Sequence, residues 1–202
     1  MATKNQKRGR SRGYSPRKVD TRNLLSRFLI VCEGEKTEPN YFRCFRVPKN
    51  IVDVRGLGDN TLRLVQKTIE IAKKDNYDQI WCVFDRDSFP ANDFNNALIL
   101  AGQKGVRVAY SNEAFELWYL LHFHYYQTGI SRHDYYDLLG KLLFKKYEKN
   151  SETIFEELEP YQLNAIRNAK RLLEQYDPSS PEKDNPSTTV HILIEELLKF
   201  AR

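Results

Sequence analysis

Short apolar runs that do not alternate with polar residues restrict this chain to a narrow set of folds. Phe28-Leu29-Ile30-Val31-Cys32 runs straight into Glu33-Gly34-Glu35, and Gln79-Ile80-Trp81-Cys82-Val83-Phe84 into Asp85-Arg86-Asp87. A strand apolar at every position is buried on both faces, as in a parallel sheet covered by helices. Helical patterns stand between such runs; Thr61–Lys74, for example, carries Leu62, Val65, Ile69 and Ala72 on one stripe. The reading in order is strand 28–32, helix 38–45, strand 51–54, helix 61–74, strand 79–84, helix 93–103, strand 106–110 and helix 113–123. This alternation predicts an α/β fold, a parallel sheet of about four strands flanked by helices, with right-handed crossovers. Helical patterns over 131–148 and 160–176, and a last helix opening at Asn185-Pro186, predict a helical C-terminal extension. The expected division is a basic tail over 1–24, an α/β domain over 25–128 and the extension over 129–202 packed on it.

Charge is unevenly placed. The chain carries a net charge of +5, yet residues 1–22 hold eight basic residues against the single acid Asp20. The remainder is therefore slightly acidic. The tail has no apolar periodicity and reads as disordered when free. A basic arm of this kind commonly meets nucleic-acid phosphate, with Arg8, Arg10 and Arg12 as candidate contacts; the alternative is a solvated tail without a partner. No apolar run is long enough for a membrane span, and the basic start lacks an apolar core of the signal-peptide type. The three cysteines, Cys32, Cys44 and Cys82, show no zinc spacing, and two lie inside predicted strands as small buried hydrophobes. These features point to a cytoplasmic protein with no membrane association.

The acids at the strand ends carry the chemistry. Open α/β sheets bind ligands at the carboxyl ends of their strands. Glu33 follows one strand, and Asp85 and Asp87 follow another. If those strands are neighbours, the carboxylates face each other across one inter-strand spacing of about 5 Å. Close carboxylates repel unless a cation neutralises them, and hard oxygen donors suit Mg²⁺ or Mn²⁺. Such a site serves phosphodiester displacement by stabilising attacking and leaving oxygens. An alternative has Glu33 as general acid or base beside one ion. Glu116 lies among Ala114, Phe115, Leu117 and Trp118 near the start of a helix, either as a further acid of the site or as a favourable charge at the helix N-terminus. Candidate phosphate contacts are Lys36 and the run Ser187-Thr188-Thr189 at the expected start of the last helix, which otherwise reads as N-capping. His122 shares a stripe with Phe115, Trp118 and Tyr119 and reads as a core residue.

The run Leu29–Phe42, with Cys32-Glu33-Gly34-Glu35-Lys36-Thr37-Glu38-Pro39 at its centre, resembles the opening motif of RloB-like proteins. So do Trp81–Asp87, Tyr110-Ser111-Asn112, Phe115-Glu116-Leu117-Trp118 with His122-Phe123, and Asn185–His191. The resemblance covers nearly the whole chain after the tail. Its first two motifs also look like the Toprim arrangement of topoisomerases, primases and OLD-type nucleases. The resemblance implies a Toprim-like sheet, Glu33, Asp85 and Asp87 as the Mg²⁺ site, and a place in abortive-infection defence against phage, with an ATPase as partner. Glu113-Ala114 departs from the expected pattern of Pro followed by a small residue.

The expected function is therefore a Mg²⁺- or Mn²⁺-dependent endonuclease acting on nucleic acid, DNA or RNA including tRNA. Glu33, Asp85 and Asp87 would be ligands, with Glu116 as a second-rank member. Two alternatives stand beside it: a non-hydrolytic module that binds nucleic acid or a nucleotide and docks an ATPase, and a phosphotransfer protein with Asp85 as nucleophile. The chain has no Gly-x-x-x-x-Gly-Lys-Ser/Thr loop of its own. Tyr125, Tyr126, Tyr135 and Tyr136 are candidate anchors for the ATPase, or else fasten the extension to the sheet. Oligomeric state is left open.

Overall fold

The computed structural model describes residues 26–48, 50–87 and 90–201. Arg8, Arg10 and Arg12 lie outside the described residues. The elements are β1 (Phe28–Cys32), α1 (Thr37–Arg43), β2 (Val52–Gly56), α2 (Thr61–Ala72), β3 (Gln79–Asp85), α3 (Ala91–Gln103), β4 (Arg107–Asn112), α4 (Glu116–Phe123), α5 (Arg132–Leu142), α6 (Ile154–Leu158), α7 (Gln162–Leu173), β5 (Ser187–Thr188) and α8 (Val190–Leu198). The sheet order is β2-β1-β3-β4-β5. β2, β1, β3 and β4 run parallel, and β5 pairs antiparallel with β4. The fold is thus α/β, as expected, with a fifth strand added from the C-terminal part.

Two cores explain why the strands are apolar throughout. Phe28, Ile30, Cys32, Trp81, Val83 and Ala109 face one way and join side chains of α1, α4, α7 and α8. Leu29, Val31, Cys82, Phe84 and Tyr110 face the other way, against Leu64 and Val65 of α2 and Phe94, Ala97 and Ala101 of α3. Successive strand residues point to opposite faces, so two covered faces require an apolar residue at every position. Residues beyond 128 belong to the first core, and they also supply β5.

Local signals set the helix starts. Asn60 caps α2 by accepting the Arg63 N–H at 3.2 Å. Ser131 and Asp134 form a reciprocal capping box on α5. Pro39 sits in the first turn of α1, where a missing N–H leaves no helical bond unmade.

Several boundaries differ from the sequence expectation. The helix expected over 131–148 stops at Leu142, because Phe144 takes a positive φ of 54°. The helix expected from Glu113 begins at Glu116. The short helix α6 is an addition. The last helix does not open at Asn185-Pro186: residues 187 and 188 form β5, and α8 starts at Val190. Two strand residues are too few to show periodicity, so β5 exists only through its pairing with β4. Tyr135 is fully buried, and Tyr125, Tyr126 and Tyr136 pack against the core. The Tyr125 hydroxyl accepts from Gln175 Nε2 at 2.5 Å, and Arg171 lies 4.0 Å over its ring. Tyr135 thus belongs to the core, while Tyr125, Tyr126 and Tyr136 pack against it and keep part of their surface exposed. No helix among the described residues is long and apolar enough to cross a membrane.

Candidate acidic centre

β1 and β3 are parallel neighbours, with Cys32 opposite Val83. The chain leaves β1 for β2 on one side and enters β3 on the other, so the sheet reverses its winding between them. A crevice forms at such a switch point, outside the carboxyl ends of the strands. Glu33 and Asp85 stand on its two sides. The Glu33 N–H donates to Val83 O at 2.8 Å, and the Asp85 N–H donates to Glu33 Oε2 at 3.2 Å.

Glycines hold the Glu33 loop in place. Leu57 N–H donates to Cys32 O and Gly58 N–H to Glu33 O, at 3.1 and 2.9 Å. A Cβ on Gly56 would lie 2.5 Å from Gly34 O and 2.7 Å from Glu35 O. The end of β2 therefore approaches the loop backbone to backbone, which any side chain there would prevent.

Two further acids complete the centre. Glu116 opens α4, is 2% exposed, and accepts the Tyr147 hydroxyl at 3.2 Å. Glu38, in the first turn of α1, is 7% exposed, and its Oε2 is buried without a hydrogen-bond partner. The sequence placed Glu38 at the start of a helix and gave it no part in the site. The signal that could have found it was an acid in the first turn of the helix that follows Glu33, ahead of the apolar Tyr41 and Phe42.

These carboxylates act on one another. Burial pushes the Glu33 carboxyl up from 4.5 to about 7; the hydrogen bond from Asp85 offsets part of this, and Asp87 and Glu38 add to it. Burial raises Asp85 well above the usual carboxylate range, and the charges of Glu38 and Glu116 push the same way. Glu38 is raised first by burial and then by Glu116. Opposing them is Arg132, whose Nη2 lies 3.3 Å from Asp85 Oδ2. Arg132 was not singled out from the sequence, since a cation at the start of α5, 47 residues from Asp85, has no local mark.

The donors fit a hard divalent cation in kind. All are carboxylate oxygens, they are crowded enough to repel, and one is an orphaned buried oxygen. Among the described residues, however, no group of three or more His, Cys, Asp or Glu side chains is arranged to hold a metal ion. Bringing three of these acids onto one ion takes side-chain movement.

The remaining candidates fall elsewhere. Lys36 is exposed at the N-cap of α1. Ser187 and Thr188 are fully buried. The Ser187 hydroxyl donates to Asp184 O, and that of Thr188 donates to Tyr110 O and accepts from Val190 N–H. Thr189 Oγ1 accepts from Tyr110 N–H at 2.9 Å. The free hydroxyls expected of a phosphate cradle are thus spent within the fold, those of Thr188 and Thr189 on Tyr110 of β4 and that of Ser187 on the loop before β5. His122 is fully buried, with Nδ1 2.9 Å from Trp118 O, and burial lowers it to about 4.

A family model described as RloB-like protein matches residues 28–197. No curated protein and no solved structure matches the chain.

Proposed function

This chain belongs to the RloB-like protein family, and from that premise we propose that it is a Toprim-type endonuclease, dependent on Mg²⁺ or Mn²⁺, that cuts nucleic-acid phosphodiester bonds. One observation carries the reading. Glu33, Glu38, Asp85 and Glu116 come from four separate segments and converge: the charges of Glu38, Glu116 and Glu33 all raise the Asp85 carboxyl, Glu38 also raises Glu33, and Glu116 raises Glu38. Proteins seldom bury several carboxylates together without a ligand to neutralise them.

Glu33, Asp85 and Asp87 would hold the cation, with Glu38 and Glu116 beside them. The cation, when bound, supplies Lewis-acid stabilisation of the phosphate oxygens. The residues of the chain do the rest. The Asp85 N–H holds the Glu33 carboxylate at the mouth of the crevice. Tyr147 orients Glu116 by donating to it. In the alternative in which Glu33 is not itself a ligand, its carboxyl, raised by burial to about 7, would exchange a proton with a water near neutral pH. The proposal extends to a role in defence against phage under the control of a partner ATPase, as the family resemblance implies, since the chain carries no P-loop of its own.

The bridge from Arg132 to Asp85 favours a second reading, a non-cutting module that binds nucleic acid or a nucleotide and docks an ATPase. One experiment separates the two. The protein, alone and with its candidate ATPase, is incubated with pooled DNA, RNA and tRNA in Mg²⁺, Mn²⁺ or EDTA. Metal-dependent cutting that is lost in Asp85→Asn supports the nuclease; binding without cutting in every arm supports the module.

A further inference from the structure

Arg132 is the first residue of α5. A cation at a helix N-terminus opposes the helix dipole, so the helix itself gains nothing from it. The start of α5 is already secured by the Ser131–Asp134 capping box. The guanidinium instead reaches Asp85 Oδ2, through one contact at 3.3 Å with both side chains partly exposed. That is longer than the about 2.7–2.9 Å of a strong charge-assisted bond, and it lacks the second arm of a bidentate pair. Arg132 also interacts electrostatically with Glu33, Glu38, Asp87 and Glu116. One loosely held guanidinium thus bears on several acids of the centre, with Lys149 also acting on Glu38.

We infer that Arg132 is an exchangeable counter-ion of the acidic centre: it competes with the divalent cation for Asp85, and once released it is taken up by a substrate phosphate. The inference rests on the metal reading above and deepens it. Two positive charges at one carboxylate repel each other, so cation entry weakens the hold of Asp85 on the guanidinium, which has only one contact to lose. A phosphate beside the centre offers that guanidinium a new partner. Substrate and metal would then favour each other's binding by the same factor, as linkage requires. The device keeps metal affinity low until a phosphate chain is present.

The test is calorimetric titration of Mn²⁺ into the full chain and its Arg132→Gln and Arg132→Lys variants, with and without a nuclease-resistant phosphorothioate oligonucleotide. Without oligonucleotide, Arg132→Gln should bind Mn²⁺ about fivefold or more tightly than wild type, the lower end of coupling between linked sites. Arg132→Lys, which keeps the charge, should behave as wild type. A damaged fold would weaken binding, so tighter binding does not arise from misfolding. The oligonucleotide should tighten Mn²⁺ binding in wild type and do so less in Arg132→Gln. Equal or weaker Mn²⁺ binding by Arg132→Gln overturns the competition, and equal tightening by oligonucleotide in both overturns the transfer to phosphate. Failure of every form to bind Mn²⁺ overturns the metal reading itself.

Discussion

The backbone N–H of Asp85 donates to the carboxylate of Glu33 across the crevice between β1 and β3, at 3.2 Å. The residues are 52 positions apart; Glu33 directly follows β1 and Asp85 is the last residue of β3. This bond ties the two acidic motifs into one centre.

Removing one acid should abolish cutting and spare the fold. Glu33→Gln keeps a carbonyl oxygen to accept the Asp85 N–H and removes a crowded charge. Its metal-free melting temperature should rise by about 2–4 °C, corresponding to about 1 kcal/mol in a chain of this size. Asp87→Asn should also lose activity without unfolding. Wild-type cutting by either variant would remove these acids from the site.

Two buried groups should tilt pH stability in opposite directions. Burial holds His122 down at about 4, so the folded state binds its proton less readily than the unfolded one. Its contribution is full above about 6.5 and is lost as pH falls from there towards 4. Glu33, raised to about 7, contributes most below its unfolded value near 4.5 and loses that contribution as pH rises through 7. The two windows overlap with opposite slopes, so urea unfolding in EDTA across pH 4 to 8 should show that His122→Gln makes stability fall more steeply with rising pH than in wild type, and that Glu33→Gln makes it rise more steeply. Each effect should be on the order of 1–3 kcal/mol. A variant whose curve runs parallel to wild type would refute its assignment.

Two glycines should respond oppositely to alanine. Gly56→Ala places a methyl against the backbone of Gly34 and Glu35, and should cost about 1–3 kcal/mol while displacing the Glu33 loop. Gly102, in α3, has nothing within 4 Å of its would-be Cβ, so Gly102→Ala should stabilise by about 0.5–1 kcal/mol. Chemical denaturation of both variants gives the comparison, and a neutral Gly56→Ala would show that the loop is not held there.

Tyr41→Phe tests the polar hub beneath α4. The Tyr41 hydroxyl accepts from Trp118 Nε1 at 2.9 Å and donates to Gln162 Oε1 at 3.0 Å, both in the interior. Deleting it leaves two buried partners unpaired and should cost about 1–3 kcal/mol. A loss below about 0.5 kcal/mol on denaturation would show that the partners find other bonds.

Deleting residues 1–22 tests the basic arm. The slope of log affinity against log salt should flatten by about 0.9 per lost duplex phosphate contact. An unchanged slope would mean that the tail makes no contact with phosphate.

The strand–helix alternation from Phe28 to Phe123, and the placing of Glu33, Asp85 and Asp87 at strand ends, could be read directly from the residues. Burial on both faces and the turn after each strand are written in local composition, at spacings of two to four residues. Glu38, Arg132 and Tyr147 could not be read that way. Each is an ordinary polar residue in its own segment, and each acquires meaning only when folding brings it to the Asp85 crevice. The same holds for Ser187 and Thr188. Their hydroxyls looked free in a run of polar residues, and the fold spends that of Thr188 on Tyr110 of β4 and that of Ser187 on Asp184 in the preceding loop. Local sequence determined which elements form, because propensity and periodicity act between near neighbours. The tertiary structure decided which charges meet, because burial and Coulomb interactions depend on distance in space and not on separation along the chain.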